Sequence, residues 1–522
     1  MSNVQIKANV YAMANGNPAF PEQADAKLMA RANCGICFSG GGTRALASTA
    51  GQLRALTKLG LVENARYISC VSGGSWASGA YTFLPGKDEK TEKAFLGPHT
   101  SDTERKSFSL KQWGDALDDQ QLVGRAATSF AKTFWRHVKH GPEDMAWINT
   151  VRDIYYAPFG LGDAKYMAAS EQAVDDIVAH NSHLSKIDFH IPRANRPYLI
   201  VNGTLEWPVR AFHKVQRVLV QFTPGYVGNP WSLQLKTKVL CKKLKQETGG
   251  GFLDSFAFGT TGPNAPAGPW LPMPGPSEHF PIWHASGISS AAFGFDAAKF
   301  DVRSVIPKEE YWAVSDSAES NEKSKEIRFT DGGNLENFGL MAMLQRKVEK
   351  LVVFVDSEDP LPPTWDKVMD DSDVTPLFGL KNKGMPHNQV FRKKDYTPLL
   401  KGWIEAQKNG GLAMQATTLE VKQNDWFGIE GGWHVDILWV YTAPVTNWAE
   451  MLSAEVQHDV AKGIEGHEPL AHFPNYRTAD ENHFLTIDLS KPQAALLADM
   501  YAWSIEQEAE AFRAHLPSNS TG

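Results

Sequence analysis

The sequence is short of three features that would narrow its function class at once: cysteine, long apolar runs and an excess of charge. Four cysteines in 522 residues are too few for a disulfide framework, which favours a reducing compartment. No apolar run is long enough to span a membrane, and segment 1–33 lacks the apolar core of a secretory signal. A net charge of −7 gives no case for nucleic acid. We predict a cytoplasmic protein whose association with a membrane is at most peripheral.

Two of the cysteines, Cys34 and Cys37, have the spacing of a redox or zinc motif. They lie in CGICF, a short apolar stretch typical of a strand, and residues three apart on a strand point to opposite faces. A redox pair needs its first cysteine at a helix N-terminus, and no second pair is present to complete a zinc site. We therefore predict two buried thiols, no metal site and no cofactor.

Alternating strand and helix signals organise the chain. Residues 34–39 are typical of a buried strand ending in Gly40-Gly41-Gly42, and leucines at helical spacing follow from Thr43 to Leu59. A second strand, Tyr67–Val71, ends at Ser72, before a run of small residues that can open another helix. This order of strands, turns and helices is typical of a parallel α/β sheet. We predict a three-layer α/β/α fold with a central, mostly parallel mixed sheet.

A single catalytic domain is expected over residues 34–515, after a lead segment (1–33) and before a tail (516–522). Within that domain, residues 95–195 are expected to form a largely helical cap insertion. The stretch 249–283 is rich in glycine, proline and aromatic residues and is a candidate lid loop. The alternative for this stretch is a loop packed onto the core.

Ser72 lies where a strand gives way to a helix, the position at which many esterases expose a nucleophilic serine. A serine hydroxyl is a weak nucleophile unless a base takes its proton and N–H donors receive the oxyanion. The usual turn has glycine two residues to either side of the serine. Here Gly74 is present, whereas Cys70 replaces the other glycine. Alone, this match is weak, because serine is common in turns of small residues.

The triple glycine Gly40-Gly41-Gly42 ends the neighbouring strand, so its backbone N–H groups can face Ser72 as an oxyanion hole. The letters GGGTRA also fit a dinucleotide-binding turn. That motif requires an acidic residue at the end of the next strand, where this chain has Ser72. We therefore favour the oxyanion hole.

Asp331 is the best candidate for the base. The letters TDGG put its carboxylate at a strand end, in a glycine turn that another loop can approach. An N-cap for the following helix is an alternative that is compatible with the same role. His434 and His483 follow Asp331 in the order of a Ser–Asp–His triad. Neither histidine lies in a motif, and we expect both to be structural or surface residues.

Three segments, FSGGGTRA, SCVSGGSW and TDGGNLENFGL, resemble the patatin-like and cytosolic phospholipase A2 superfamily. The resemblance is closest to its cytosolic phospholipase A2 and lysophospholipase branch, with weaker similarity at QFTPGYVG and SGISSAAFG. It implies that Ser72 is the acylated nucleophile and that Asp331 activates it without a histidine. Gly41 and Gly42, with Gly40, would form the oxyanion hole.

The same resemblance implies that Arg44 meets a substrate phosphate; alternatively, Arg44 ties down the start of its helix. Two departures from the family pattern, Cys70 and the letters GGNLENF after Asp331, leave the substrate open. Segment 1–33 is too short for the calcium-binding C2 β-sandwich often found in this branch, so we predict a calcium-independent enzyme.

The implied activity is a serine acyl hydrolase that cleaves acyl esters of glycerophospholipids or lysophospholipids at a membrane or micelle surface. An acyltransferase with the same residues and a catalytically inactive lipid-binding protein remain open. A basic run near the aromatic stretch can attract anionic head groups, the alternative being a solvated charged helix. Its members are Lys236, Lys238, Lys242, Lys243 and Lys245.

Overall fold

The computed structural model describes residues 4–13, 19–86, 88–208, 215–239, 242–263, 266–292, 305–314, 324–369, 373–381, 384–478 and 488–518. The strands of these residues are β1 (Gln5–Ala12), β2 (Cys34–Phe38), β3 (Tyr67–Val71), β4 (Tyr166–Met167), β5 (Phe189–His190), β6 (Tyr198–Trp207), β7 (Gln216–Phe222), β8 (Tyr226–Asn229), β9 (Leu233–Val239), β10 (Lys242–Thr248), β11 (Gly251–Asp254), β12 (Gly268–Pro274), β13 (Lys308–Tyr311), β14 (Lys325–Asp331), β15 (Lys350–Val355), β16 (Ala413–Glu420) and β17 (His434–Tyr441).

The helices are α1 (Ala26–Met29), α2 (Gly42–Lys58), α3 (Ser72–Phe83), α4 (Glu89–Leu96), α5 (Asp102–Ser107), α6 (Leu110–Asp115), α7 (Phe130–His140), α8 (Ala146–Val151), α9 (Glu171–His180), α10 (Ile282–Ser289), α11 (Leu340–Gln345), α12 (Val374–Leu377), α13 (Tyr396–Lys408), α14 (Thr446–Ala449), α15 (Ala454–Ile464), α16 (Lys491–Gln507) and α17 (Ala509–His515). Among the residues described, no helix is long and apolar enough to cross a membrane.

Most strands join one mixed sheet, in the order β12-β1-β11-β8-β7-β6-β3-β2-β15-β17-β16, with β14 paired to β6 and β13 to β14. Its centre is a parallel group formed by β6, β3, β2, β15 and β17. Parallel strands with both faces covered are apolar throughout, and β2, β3 and β15 are buried over almost their whole length. The carboxyl ends of these central strands share one edge of the sheet.

Helices cover both faces of this sheet, because alternate side chains of its strands enter two separate cores. On one face, Ile36 and Phe354 pack with the core that includes α2, α3, α10 and α16. On the other, Cys37 and Val353 pack with α11 and α13. This is the predicted three-layer α/β/α architecture. Cys34 and Cys37 fall on opposite faces, each buried as a free thiol.

Helix α2 is fixed by a helix that lies far away in the sequence. It packs against α16 so closely that a Cβ at Gly51 would lie 2.2 Å from the carbonyl oxygen of Ala498. Glycine is needed at that point because the backbones of the two helices are almost in contact. The turn that opens α2 therefore depends on residues 491–507 for its support.

The two predicted insertions differ in outcome. Residues 95–195 are mainly helical, and Phe130 and Trp147 join the same core as α3; that they form a cap stays a prediction. The stretch 249–283 is not a long loop, since it contains β11 and β12 and its Phe256 and Phe280 are buried. Most of its aromatic side chains are buried, which favours the alternative of packing onto the core, and a role as a lid stays a prediction.

Candidate active site

Ser72 occupies a sharp turn between β3 and α3. Its φ of 49° lies in the left-handed region that residues other than glycine rarely adopt. Close packing of small neighbours makes the turn possible: a Cβ at Gly73 would lie 2.1 Å from the Gly42 carbonyl oxygen. The helix that carries Ser72 therefore starts in direct contact with the glycine turn of the neighbouring strand, in the geometry of a nucleophile elbow.

The strand β6 brings Asp331 to Ser72. In the register of the sheet, Val71 pairs with Asn202 of β6, and Asp331 at the end of β14 pairs with the next residue, Gly203, on the same edge of β6, because β7 occupies the other edge. The Ser72 hydroxyl donates a hydrogen bond of 2.9 Å to Asp331 Oδ2. Two residues from distant parts of the sequence are thus placed in contact by adjacent positions of one strand.

Asp331 is buried, with only 6% of its surface exposed. Burial raises the pKa of Asp331 from 3.8 to about 7, although hydrogen bonds from the Gly333 N–H and the Ser72 hydroxyl act in the opposite direction. The Gly333 bond to Oδ1 measures 2.7 Å and fixes the orientation of the carboxyl group. A general base is most effective when its pKa lies near the working pH. This carboxylate can therefore accept the Ser72 proton at neutral pH.

The backbone of the elbow is held by Ser289, a residue that we did not predict. The Ser72 N–H donates to Ser289 Oγ at 3.0 Å, and the Ser289 hydroxyl donates to the Asn202 carbonyl at 2.6 Å. The Ser72 N–H is therefore not available to an oxyanion. The only sequence signal was the weak family similarity at SGISSAAFG, which contains Ser289 without marking its partner.

The three glycines of the turn differ in what their N–H groups do. The Gly40 N–H donates to the Asn337 carbonyl at 3.0 Å, so it is already engaged. Gly41 and Gly42 have φ angles of 137° and 54°, and their N–H groups donate to no acceptor among the described residues. They open α2, where backbone N–H groups and the helix dipole favour an anion. Gly41 and Gly42 thus stay candidate oxyanion donors, and Gly40 does not.

Arg44 is buried under the glycine turn rather than directed at Ser72. Its guanidinium donates to the backbone carbonyls of Tyr476 and Asp356, the latter at 2.8 Å. It also lies 3.8 Å from a carboxylate oxygen of Glu358. These partners occupy the side chain within the protein. The geometry favours the alternative role, in which Arg44 ties down the start of α2.

A histidine triad is not supported by the positions of the two candidate histidines. His434 begins β17, and the register across β15 and β2 places it at the edge opposite to Ser72. A five-residue strand separates these edges by roughly 17 Å. His483 lies outside the described residues. No histidine of the described chain hydrogen-bonds to Ser72 or Asp331, and no group of His, Cys, Asp and Glu there is arranged to hold a metal.

No protein-family model and no curated protein matches the sequence. Among solved structures, the chain is similar to human GIVD cytosolic phospholipase A2, with 14% identity and a TM-score of 0.49. That match covers 98% of this chain and 66% of the human chain. The human protein in complex with methyl gamma-linolenyl fluorophosphonate gives 13% identity and a TM-score of 0.44, over 99% and 66% of the two chains. At this identity the similarity shows no residue role and no activity for this chain.

Proposed function

We propose that this protein is a serine acyl hydrolase of the patatin-like and cytosolic phospholipase A2 type, acting on lipid esters. The observation that carries the proposal is the hydrogen bond of 2.9 Å from Ser72 Oγ to a buried carboxylate. Residues held in the left-handed region cost about 1–3 kcal/mol and cluster at functional sites. A protein that only binds lipid needs neither a strained serine nor a buried carboxylate to receive its proton.

In the proposed reaction, Asp331 takes the Ser72 proton as Ser72 Oγ attacks the ester carbonyl carbon. The N–H groups of Gly41 and Gly42 stabilise the oxyanion of the tetrahedral intermediate. Asp331 then protonates the leaving alkoxide, which departs as an alcohol and leaves an acyl-serine. Water repeats the sequence with Asp331 as the base, releasing the fatty acid and restoring Ser72. Each oxyanion donor is worth roughly two to three orders of magnitude in rate.

The substrates that we propose are glycerophospholipids or lysophospholipids, on the basis of the three sequence motifs. Since Asp331 supplies the base and glycine N–H groups receive the oxyanion, the proposed chemistry needs no calcium ion. An acyltransferase would use the same residues with an alcohol in place of water. Product analysis with added alcohol acceptors distinguishes the two activities.

The first test is labelling with a fluorophosphonate probe, which reacts with activated serines. Wild type is expected to be labelled, whereas Ser72→Ala and Asp331→Asn lose labelling. Ser78→Ala is the matched control, because Ser78 is a buried serine of the same helix that makes no contact with the Ser72 hydroxyl. Unlabelled wild type, or a labelled Ser72→Ala variant, would refute the proposed nucleophile. Release of fatty acid from phosphatidylcholine and lysophosphatidylcholine then identifies the substrate class.

A further inference from the structure

The lysine run forms a β-hairpin, so the interpretation of this run as a solvated charged helix is wrong. β9 and β10 pair with each other apart from the main sheet. Their register places Lys236 opposite Lys245. Like charges directly opposite each other on paired strands are destabilising. The hairpin therefore concentrates positive charge at a cost to its own stability.

The charge on this hairpin is not neutralised within the described chain. Lys236, Lys243 and Lys245 are exposed, and none of them forms an ion pair with a described residue. A cluster of exposed cations without ion-pair partners among the described residues is complementary to an anionic surface, such as a leaflet that contains anionic lipids.

The opposite face of the hairpin is anchored to the protein. Leu235 and Gln246 pair across the two strands, and each is 1% exposed. The Gln246 side-chain oxygen accepts a hydrogen bond of 2.8 Å from Lys325 Nζ. Because side chains alternate along a strand, this anchoring leaves Lys236 and Lys245 on the solvent side. The lysines are thus presented by a ribbon whose inner face is fixed.

The hairpin emerges at the same edge of the sheet as Ser72. The register runs from Val71 to Asn202 of β6, then to Gln221 of β7 and to Gly228 of β8. β8 runs in the same direction as β3 and ends one residue later, so the chain leaves the sheet level with Ser72. Three strand spacings separate the two exits, about 14 Å. The hairpin and Ser72 therefore lie at the same edge of the sheet.

We infer that Lys236, Lys243 and Lys245 bind a lipid surface with anionic head groups and bring the Ser72 edge of the sheet toward it. This inference rests on the proposed function, because the lipid esters are presented in such a surface. Each lysine near an anionic leaflet increases affinity about five-fold, and three together on the order of 100-fold. Binding falls as salt rises, since the attraction extends only about one Debye length, ~8 Å at physiological ionic strength.

The test measures co-sedimentation with vesicles of phosphatidylcholine alone or mixed with phosphatidylserine. Wild type is expected to bind the mixed vesicles with a strong dependence on salt. The variant Lys236→Gln, Lys243→Gln, Lys245→Gln is expected to lose about 100-fold in affinity. The matched control replaces three exposed helical lysines, Lys90→Gln, Lys106→Gln and Lys132→Gln, which gives the same change in net charge.

The inference is supported if only the hairpin variant loses binding to phosphatidylserine vesicles. It is overturned if the hairpin variant binds like wild type, if the control loses binding equally, or if wild type prefers an acidic soluble polymer such as polyglutamate. Fluorophosphonate labelling without vesicles separates this outcome from the proposed function. The hairpin variant is expected to label at the wild-type rate, because its lysines are remote from Ser72. If wild type is not labelled but still binds vesicles through the hairpin, the proposed hydrolase activity is refuted and the lipid-binding inference stands.

Discussion

The rate at which Ser72 reacts with a fluorophosphonate should follow the ionisation of Asp331. Burial raises the pKa of Asp331 to about 7, and only the ionised carboxylate can take the hydroxyl proton. The rate is expected to be proportional to the ionised fraction. That fraction is about 90% at pH 8 and about 1% at pH 5, so labelling should slow roughly 90-fold between them. With the ordinary pKa of 3.8, the same change of pH would lower the rate by less than about 10%.

The assay follows the fluorescence of the labelled protein with time at constant ionic strength from pH 5 to pH 9. A sample held at pH 5 and returned to pH 8 must recover its full rate, which excludes irreversible acid unfolding as the cause. Asp331→Asn should label at least about 100-fold more slowly and show no rise near neutral pH. A flat profile between pH 5 and pH 8 would contradict the reasoning, because Asp331 would then be ionised throughout in spite of its burial.

Three further predictions concern the same framework. Asp331→Asn should raise the free energy of unfolding at pH 8 by as much as about 4 kcal/mol, measured by urea unfolding. The reason is that the folded wild type becomes less stable as pH rises from 4 to 7, where its buried carboxyl group, with a pKa raised to about 7, has to ionise. An equal difference at pH 4 would contradict this origin. Ser289→Ala should slow labelling by roughly 10- to 100-fold and destabilise the protein by about 1–3 kcal/mol, since it leaves the buried Ser72 N–H without an acceptor; an unchanged rate would show that Ser289 does not position the elbow. Gly51→Ala should destabilise the protein by about 1–3 kcal/mol, because its Cβ would lie 2.2 Å from the Ala498 carbonyl oxygen, whereas Gly384→Ala, where nothing lies within 4 Å, should change stability by less than about 0.5 kcal/mol.

The glycine turn, Ser72 and Asp331 could be located from the sequence because each depends on local signals. An apolar strand followed by glycines predicts a turn at Gly40–Gly42 and at Asp331, and the small residues after Ser72 predict the elbow. These signals need no knowledge of distant residues. The parallel order of the central strands follows from the helix between β2 and β3, which requires a crossover connection.

The partners of these residues could not be predicted, because they depend on register across the sheet. The Ser72 N–H meets Ser289, and the Gly40 N–H meets Asn337, at sequence separations that no local pattern encodes. The antiparallel part of the main sheet also pairs strands that are far apart in the sequence, such as β1 with β12. The hairpin is a different case: Leu235 and Thr237 alternate with Lys236 and Lys238, a strand period that was present in the sequence.

The packing of α2 on α16 has a consequence for the time at which activity can arise during synthesis. Ser72 and Asp331 both leave the ribosome well before residues 491–507, which support the helix that opens at Gly42. Until those residues emerge, α2 cannot pack against α16 at Gly51, and the glycine turn at the start of α2 lacks this support. A nascent chain can therefore carry every reacting group and still be inactive. For the proposed hydrolase, such an order of assembly would delay attack on lipid until residues 491–507 have been synthesised.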